Sequence, residues 1–290
     1  MSFVEAILNG LMVGGLYGLF GLGLALAFGI MRIVNIAHGE FVVLAAYFGM
    51  ILLTLTPLPL PIVVVCVAAT AFVLGWLLQL ALLNRFLGPN PVPSMIVTLG
   101  LSIVVRNLLV RIFGANIHSI DIGPLQNVGF RFLGLSIGAV PLIIFAVALL
   151  LFFGMHMLLQ HTTLGRAFRA AADDFEILET LGFNRRRIYN VAMGVAVALA
   201  AIAGLLLAMR SSFGPFSGVE RLLIAFEVVI IGGLGSLRGC FFGGLFLGVV
   251  QVVGLKLAPN SGPLFSHLAF FVVLLLRQAN LPPLLAWARK

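Results

Sequence analysis

The sequence predicts an all-α polytopic membrane protein, a single transmembrane domain over residues 1–290. Three observations predict it. Hydrophobic residues make up 62% of the 290 and charged residues 9%, whereas soluble domains run near ~45–50% apolar and ~25% charged. The mean hydropathy is +1.20. Apolar runs long enough to cross ~30 Å of hydrocarbon recur along the whole chain, and they are solid rather than the alternating ten-residue segments of a β-barrel, about which a membrane strand is built.

The runs are 6–31, 41–56, 62–83, 95–113, 137–159, 188–209, 222–257 and 264–276. They amount to eight or nine spans, some broken or re-entrant. The first run has no basic region before it and no obvious cleavage site, so it reads as a retained helix and not a signal peptide. "TPLPLP" at 56–61 and "GPNPVP" at 88–93 are turns, because proline cannot continue a helix and restricts the residue before it. Cys66 and Cys240 lie in apolar surroundings and read as small packing residues, not a disulfide framework.

The net charge of +8 does not point to nucleic acid. The basic residues sit in short connections, as orientation in a membrane requires. Arg166, Arg169, Arg185, Arg186 and Arg187 share the connection 160–187, which the positive-inside rule makes cytoplasmic. Counting backward puts Arg85 and Arg32 inside, the loop 114–136 outside and the N-terminus outside. Counting forward puts Arg289 and Lys290 inside if 222–257 crosses twice. Arg106 and Arg111 depart from the pattern, falling late in an outward-running helix.

Two runs have the wrong length. The run 41–56 holds 16 residues, about 24 Å of helix, short of the ~30 Å core. Its helix must begin earlier, which carries Asn35, His38 and Glu40 to the membrane boundary or into it. The run 222–257 holds 36 residues, roughly 54 Å, too long for one crossing. It contains "GGLGSLRG" at 232–239, and four glycines in eight residues break a helix. Irregular backbone at membrane depth is tolerated only where protein buries it or a cavity adjoins it. Asn35, His38, Glu40, Gly232, Gly233, Gly235 and Ser236 are therefore the candidates to line or gate a pathway.

Each has a plainer reading. His38 and Glu40 also suit a cap that packs against a neighbouring loop, and Asn35 suits a cap for the helix at Phe41. The glycines also suit close helix approach. Glu227, a carboxylate inside an apolar run, suits a proton or cation relay, or else a pair with an arginine or with broken backbone.

The connection 160–187 is too regular for a mere link. Asp173 or Asp174 suits an N-cap, and Glu176 suits the first turn. Ile177, Leu178 and Leu181 share a face, and Gly182 suits the left-handed residue that ends a helix. The expectation is a helix of about two turns whose apolar face needs lipid or a partner.

Three blocks carry a resemblance: "GIMRIVNIAHGEF", "LGRAFRAAADDFEILETLGFNRRRI" and "AFEVVIIGGLGSLRGCFFGGLFLG". With their span order they cover most of the chain, which resembles the integral-membrane permease subunit of the branched-chain amino acid class of ABC importers. The resemblance implies uptake across a bacterial inner membrane by two cytoplasmic ATP-binding subunits, a second permease subunit that is usually a paralogue, and an extracytoplasmic solute-binding protein. It implies that the middle block meets the ATPase, with Gly165, Arg166, Arg169, Asp174, Glu176, Ile177, Leu178, Leu181 and Gly182 in or beside the coupling helix. Its members carry branched-chain amino acids, urea, amides and aromatic acids. The chain departs from the family after the last span, where "LLLRQANLPPLLAWARK" replaces an Arg-Pro-x-Gly-Leu-Phe-Gly-like tail.

No phosphate-binding Gly-rich loop ending in Gly-Lys-Ser/Thr is spelled out, so ATP hydrolysis is expected in partner subunits. The five histidines show no metal spacing, and no catalytic constellation or cofactor is expected. The alternative class is a stand-alone ion-coupled transporter or channel that uses Glu227.

Overall fold

A computed structural model of the chain describes residues 2–88, 90–126, 128–132, 135–173 and 182–278. Its helices in chain order are α1 (Phe3–Met31), α2 (His38–Leu55), α3 (Leu60–Ala81), α4 (Val92–Phe113), α5 (Ala139–His161), α6 (Thr163–Asp173), α7 (Arg185–Arg210), α8 (Ser217–Gly232), α9 (Leu237–Leu257) and α10 (Gly262–Gln278). Among the described residues, seven helices are long and apolar enough to cross a membrane. Of the shorter helices, α10 is also apolar, while α8 carries Glu220, Arg221 and Glu227. The protein is an all-α, multi-pass membrane protein.

Start signals are local. Ser2 and Glu5 form a reciprocal capping box on α1, the Asn184 side chain accepts from the Arg187 amide at the start of α7, and prolines open α3 and α4. What distinguishes the helices is burial. In the most apolar stretch of α1, 89% of residues are buried, and in α7 78%, whereas α3, α4 and α5 reach only 17–22%. The core is therefore α1 and α7, with the other helices wrapped around them. Small residues make that possible. Gly10 and Gly14 of α1 pack against the backbone of Gly248 and Gly244 on α9, where an added Cβ would collide with main chain.

One end of the bundle gathers Arg32, α6 and Arg185; the other carries the segment 114–138 and Arg210. At the latter end β1 (Gly129–Phe132) and β2 (Leu135–Gly138) form an antiparallel hairpin, Gly129 opposite Gly138, where the sequence predicted only a loop. His118 and Phe213 bridge this segment to the stretch after α7.

Both runs of odd length behave as chain length requires. Helix α2 begins at His38, and His38 Nε2 donates to the Phe20 carbonyl at 2.9 Å. Phe20 stands 11 residues from the end of α1, about 16 Å, so residues 32–37 turn back into the bundle before α2 starts. The 36-residue run divides into α8 and α9 at 233–236. Helix α8 starts at Ser217, five residues before the expected edge, and takes in Glu220 and Arg221.

In the segment 160–187, Asp173 is the last residue of α6, which begins at Thr163. Asp174, Glu176, Ile177, Leu178 and Leu181, the body of the expected coupling helix, lie outside the described residues. Gly182 has φ 79°, the left-handed region expected of a helix terminator.

Candidate functional site

The first candidate group assembles where α2 begins. Asn35 turns its Oδ1 to the Ala37 amide at 3.0 Å, so it closes an Asx turn before the helix and does not cap Phe41, whose amide bonds to Ala37 O. His38 is held by Phe20 as described. Glu40 is 2% exposed. Its Oε1 accepts from Arg106 Nη2 at 2.6 Å, from Arg106 Nε at 3.0 Å and from Ser102 Oγ at 3.3 Å. Its Oε2 has no hydrogen-bond partner among the described residues and lies over Gly218 at the start of α8. An ion pair at this depth needs such a built-in partner, because hydrocarbon solvates neither charge. Arg106 breaks the sequence's charge pattern for this reason: it is the counter-ion of Glu40.

The residues the sequence missed here stand on α4. Four residues of α4 are buried, and three are polar: Ser94, Thr98 and Ser102. With Arg106 they repeat every four residues and make one stripe. Thr98 Oγ1 accepts from the Ile36 amide at 3.1 Å, which satisfies re-entrant backbone that no helix serves. The stripe is visible in the sequence as an i, i+4 period in Ser/Thr/Arg; what it faces is not.

At the same place two helix starts meet. Gly39 on α2 and Gly218 on α8 touch main chain to main chain, and a Cβ on Gly39 would strike the Gly218 carbonyl. Glu40 thus lies in the first turn of its own helix and against the first turn of another. Both ends present partial positive charge.

The second candidate group is the glycine break. Gly232 packs on the backbone of Gly239. Gly233 and Gly235 have φ 96° and 83°, conformations that exclude ordinary side chains. Ser236 Oγ accepts from the Gly239 amide at 3.1 Å and caps α9. The four residues do different jobs: Gly232 permits close approach, Gly233 and Gly235 turn the chain, and Ser236 restarts the helix. Gly235 lies on Gly29 of α1, where a Cβ would come to 2.9 Å from the Gly235 Cα.

The structure does not join the two groups. One rests on Phe20 and the other on Gly29, nine residues apart on α1, roughly 13 Å. Instead it joins the glycine break to the 160–187 segment. A cavity of about 440 Å³ is lined by Gly29 and Arg32 of α1's end, Phe168 and Arg169 of α6, and Leu234 and Gly235 of the break. Helix α6 is firmly seated there. Phe168 is 1% exposed, Gly165 abuts the carbonyls of Leu158 and Leu159, and Arg169 donates to the Leu159 carbonyl. Arg166 on the same helix is exposed.

Glu227 is 3% exposed, and its Oε1 accepts from His267 Nδ1 at 2.5 Å. The partner is neither an arginine nor broken backbone, the two expectations, but a histidine 40 residues on, which no local pattern reveals. Among the described residues no three His, Cys, Asp or Glu side chains are grouped to hold a metal ion.

The model of the family described as branched-chain amino acid transport system, permease component, matches residues 6–276. The high-affinity branched-chain amino acid transport system permease protein BraD of Pseudomonas aeruginosa is 28% identical over 286 residues, 94% of this chain and 92% of its own. The corresponding LivH protein of Escherichia coli is 26% identical over 270 residues, 87% and 86% of the two chains. A probable branched-chain amino acid transport permease LivH of Methanocaldococcus jannaschii is 28% identical over 257 residues, 85% and 80%. With the matched residues running across all of the apolar helices, the chain belongs to the family of branched-chain amino acid transport system permease components.

Proposed function

We propose that this chain is the permease subunit of an ATP-binding-cassette importer of a bacterial inner membrane, forming with a second, paralogous permease the path of a branched-chain or related amino acid. The arginine-rich end faces the cytoplasm, where two ATP-binding subunits engage residues 160–187. The 114–138 end faces outward and receives a solute-binding protein. The chain itself is not an enzyme; the partners hydrolyse ATP.

One observation carries the coupling: α6 and the glycine break line one cavity. Movement of the 174–181 segment by an ATPase pulls on the C-terminal end of α6. Because Phe168 and Gly165 are packed tight, α6 moves as a body and presses on Leu234 and Gly235. Gly233 and Gly235, on either side of Leu234, have no Cβ to resist, so α8 and α9 change their mutual angle. That angle governs the junction of α8 with Gly39 and Glu40, and access passes from one face to the other.

Leu178→Asp tests this. In membranes containing the whole complex, ATPase subunits no longer co-purify with the variant and leucine uptake stops, while insertion is unchanged. Co-purification and uptake at the level of the unaltered chain would refute the coupling. His267 engages one oxygen of Glu227 and the other has no partner among the described residues, so the ion-coupled alternative is separated from the importer reading by the Glu227→Gln variant.

A further inference from the structure

At the end opposite the glycine break lies a second cavity, of about 500 Å³. Its walls come from three places: Ser119 and Gln126 of the outer segment, Pro141 at the start of α5, and Arg210, Ser211 and Ser212 at the end of α7. The walls are tied together. The Ile120 amide donates to the Ala208 carbonyl at 3.4 Å and Gln126 Nε2 to the Ile120 carbonyl at 2.8 Å.

Arg210 makes no hydrogen bond or ion pair with any described residue. Among the described residues the cavity lining holds no carboxylate to pair with it. Arg210 is the last residue of α7 and stands exposed at the rim of this cavity. A cation with five donors and no partner there is a receptor for an anion.

We infer that this cavity is the first station of the solute in the permease, with the Arg210 guanidinium binding the solute's carboxylate and the Ser212 hydroxyl beside it. The volume lies within the ~300–1,000 Å³ of small-molecule sites, and the cavity is too small for a protein surface. A planar guanidinium takes a carboxylate in a two-pronged contact that no hydroxyl or amide solute reproduces. The inference rests on the proposed reading of this chain as an importer's path, and it adds where the solute is first held and by which of its groups.

The test uses the complete complex in proteoliposomes with radiolabelled leucine and its binding protein. The background is Cys66→Ala, since the other cysteine, Cys240, is buried. In that background Arg210→Cys lowers the leucine carried per ATP hydrolysed by about tenfold or more, the loss of one charge-assisted contact. Treatment with an aminoethyl thiosulfonate restores much of the ratio by returning a positive charge; a sulfonatoethyl thiosulfonate does not. Equal responses to both reagents, or a ratio unchanged by Arg210→Cys, would overturn the inference. So would uptake and ATP hydrolysis falling together at a constant ratio, which would make Arg210 a docking contact for the binding protein. Failure of the Arg210-containing parent to accumulate leucine with ATP would instead bring down the importer reading, and this inference with it.

Discussion

At 32–37 the chain re-enters the bundle among polar side chains; at 233–236 it turns on nearly bare backbone. Both places interrupt helix, and both must satisfy main-chain groups that a helix would have satisfied; the first is largely buried, the second exposes Leu234 and Gly235. The first does it with Thr98, Asn35, His38 and the Glu40–Arg106 pair. The second does it with a Ser236 cap and glycines pressed against glycines. Side-chain hydrogen bonds have fixed lengths and directions, so the first break is a rigid joint. Glycine backbone tolerates a change of angle, so the second is the hinge of the proposed mechanism. The cavity beside Gly235 leaves it room to move.

The sharpest way to break this comparison is at the ion pair. Glu40→Ala leaves Arg106 with no counter-ion, and loss of one partner from a buried pair costs about 3–5 kcal/mol. Because the Arg106 side chain keeps 25% exposure, the expected loss is about 3 kcal/mol, read as denaturant-induced unfolding in detergent. The double variant Glu40→Gln, Arg106→Met recovers most of it. A single variant as stable as the parent would show that the joint is not held there.

Gly235→Ala tests the hinge. A side chain at φ 83° costs about 1–2 kcal/mol, a smaller stability effect than Glu40→Ala, yet leucine uptake falls more than it does for any joint variant of equal stability. If uptake merely tracked stability across both regions, the division into joint and hinge would collapse. Thr98→Val keeps the volume and removes the acceptor for the Ile36 amide, for a loss of about 1 kcal/mol on the same unfolding measurement; no change would mean that the amide finds another partner. The smallest effect is expected at Glu227→Gln, which retains an acceptor for His267 and leaves uptake within about threefold. Abolished uptake there would revive the ion-coupled alternative.

Much of this was legible in the residues. Span lengths alone required the re-entrance before Phe41 and the break inside 222–257, because a helix rises a set distance per residue and a bilayer has a set thickness. The left-handed turn at Gly182 was legible for the same kind of local reason. The helical reach of α6 was not: Asp173 carries the chemistry of a cap and serves as a helix end. Nor was the start of α8: Glu220 and Arg221 read as loop, yet both lie within the helix that begins at Ser217.

By itself the sequence determined the class and the two places where the apolar runs are interrupted. These follow from composition, length and the conformational limits of glycine and proline, all of which are properties of the chain taken locally. Only the tertiary structure decided the partners: Glu40 with Arg106 across 66 positions, Glu227 with His267 across 40, Gly235 over Gly29, and Arg210 with none among the described residues. Electrostatics and packing act over ångströms of space, and helix packing brings together residues that no periodicity along the chain connects.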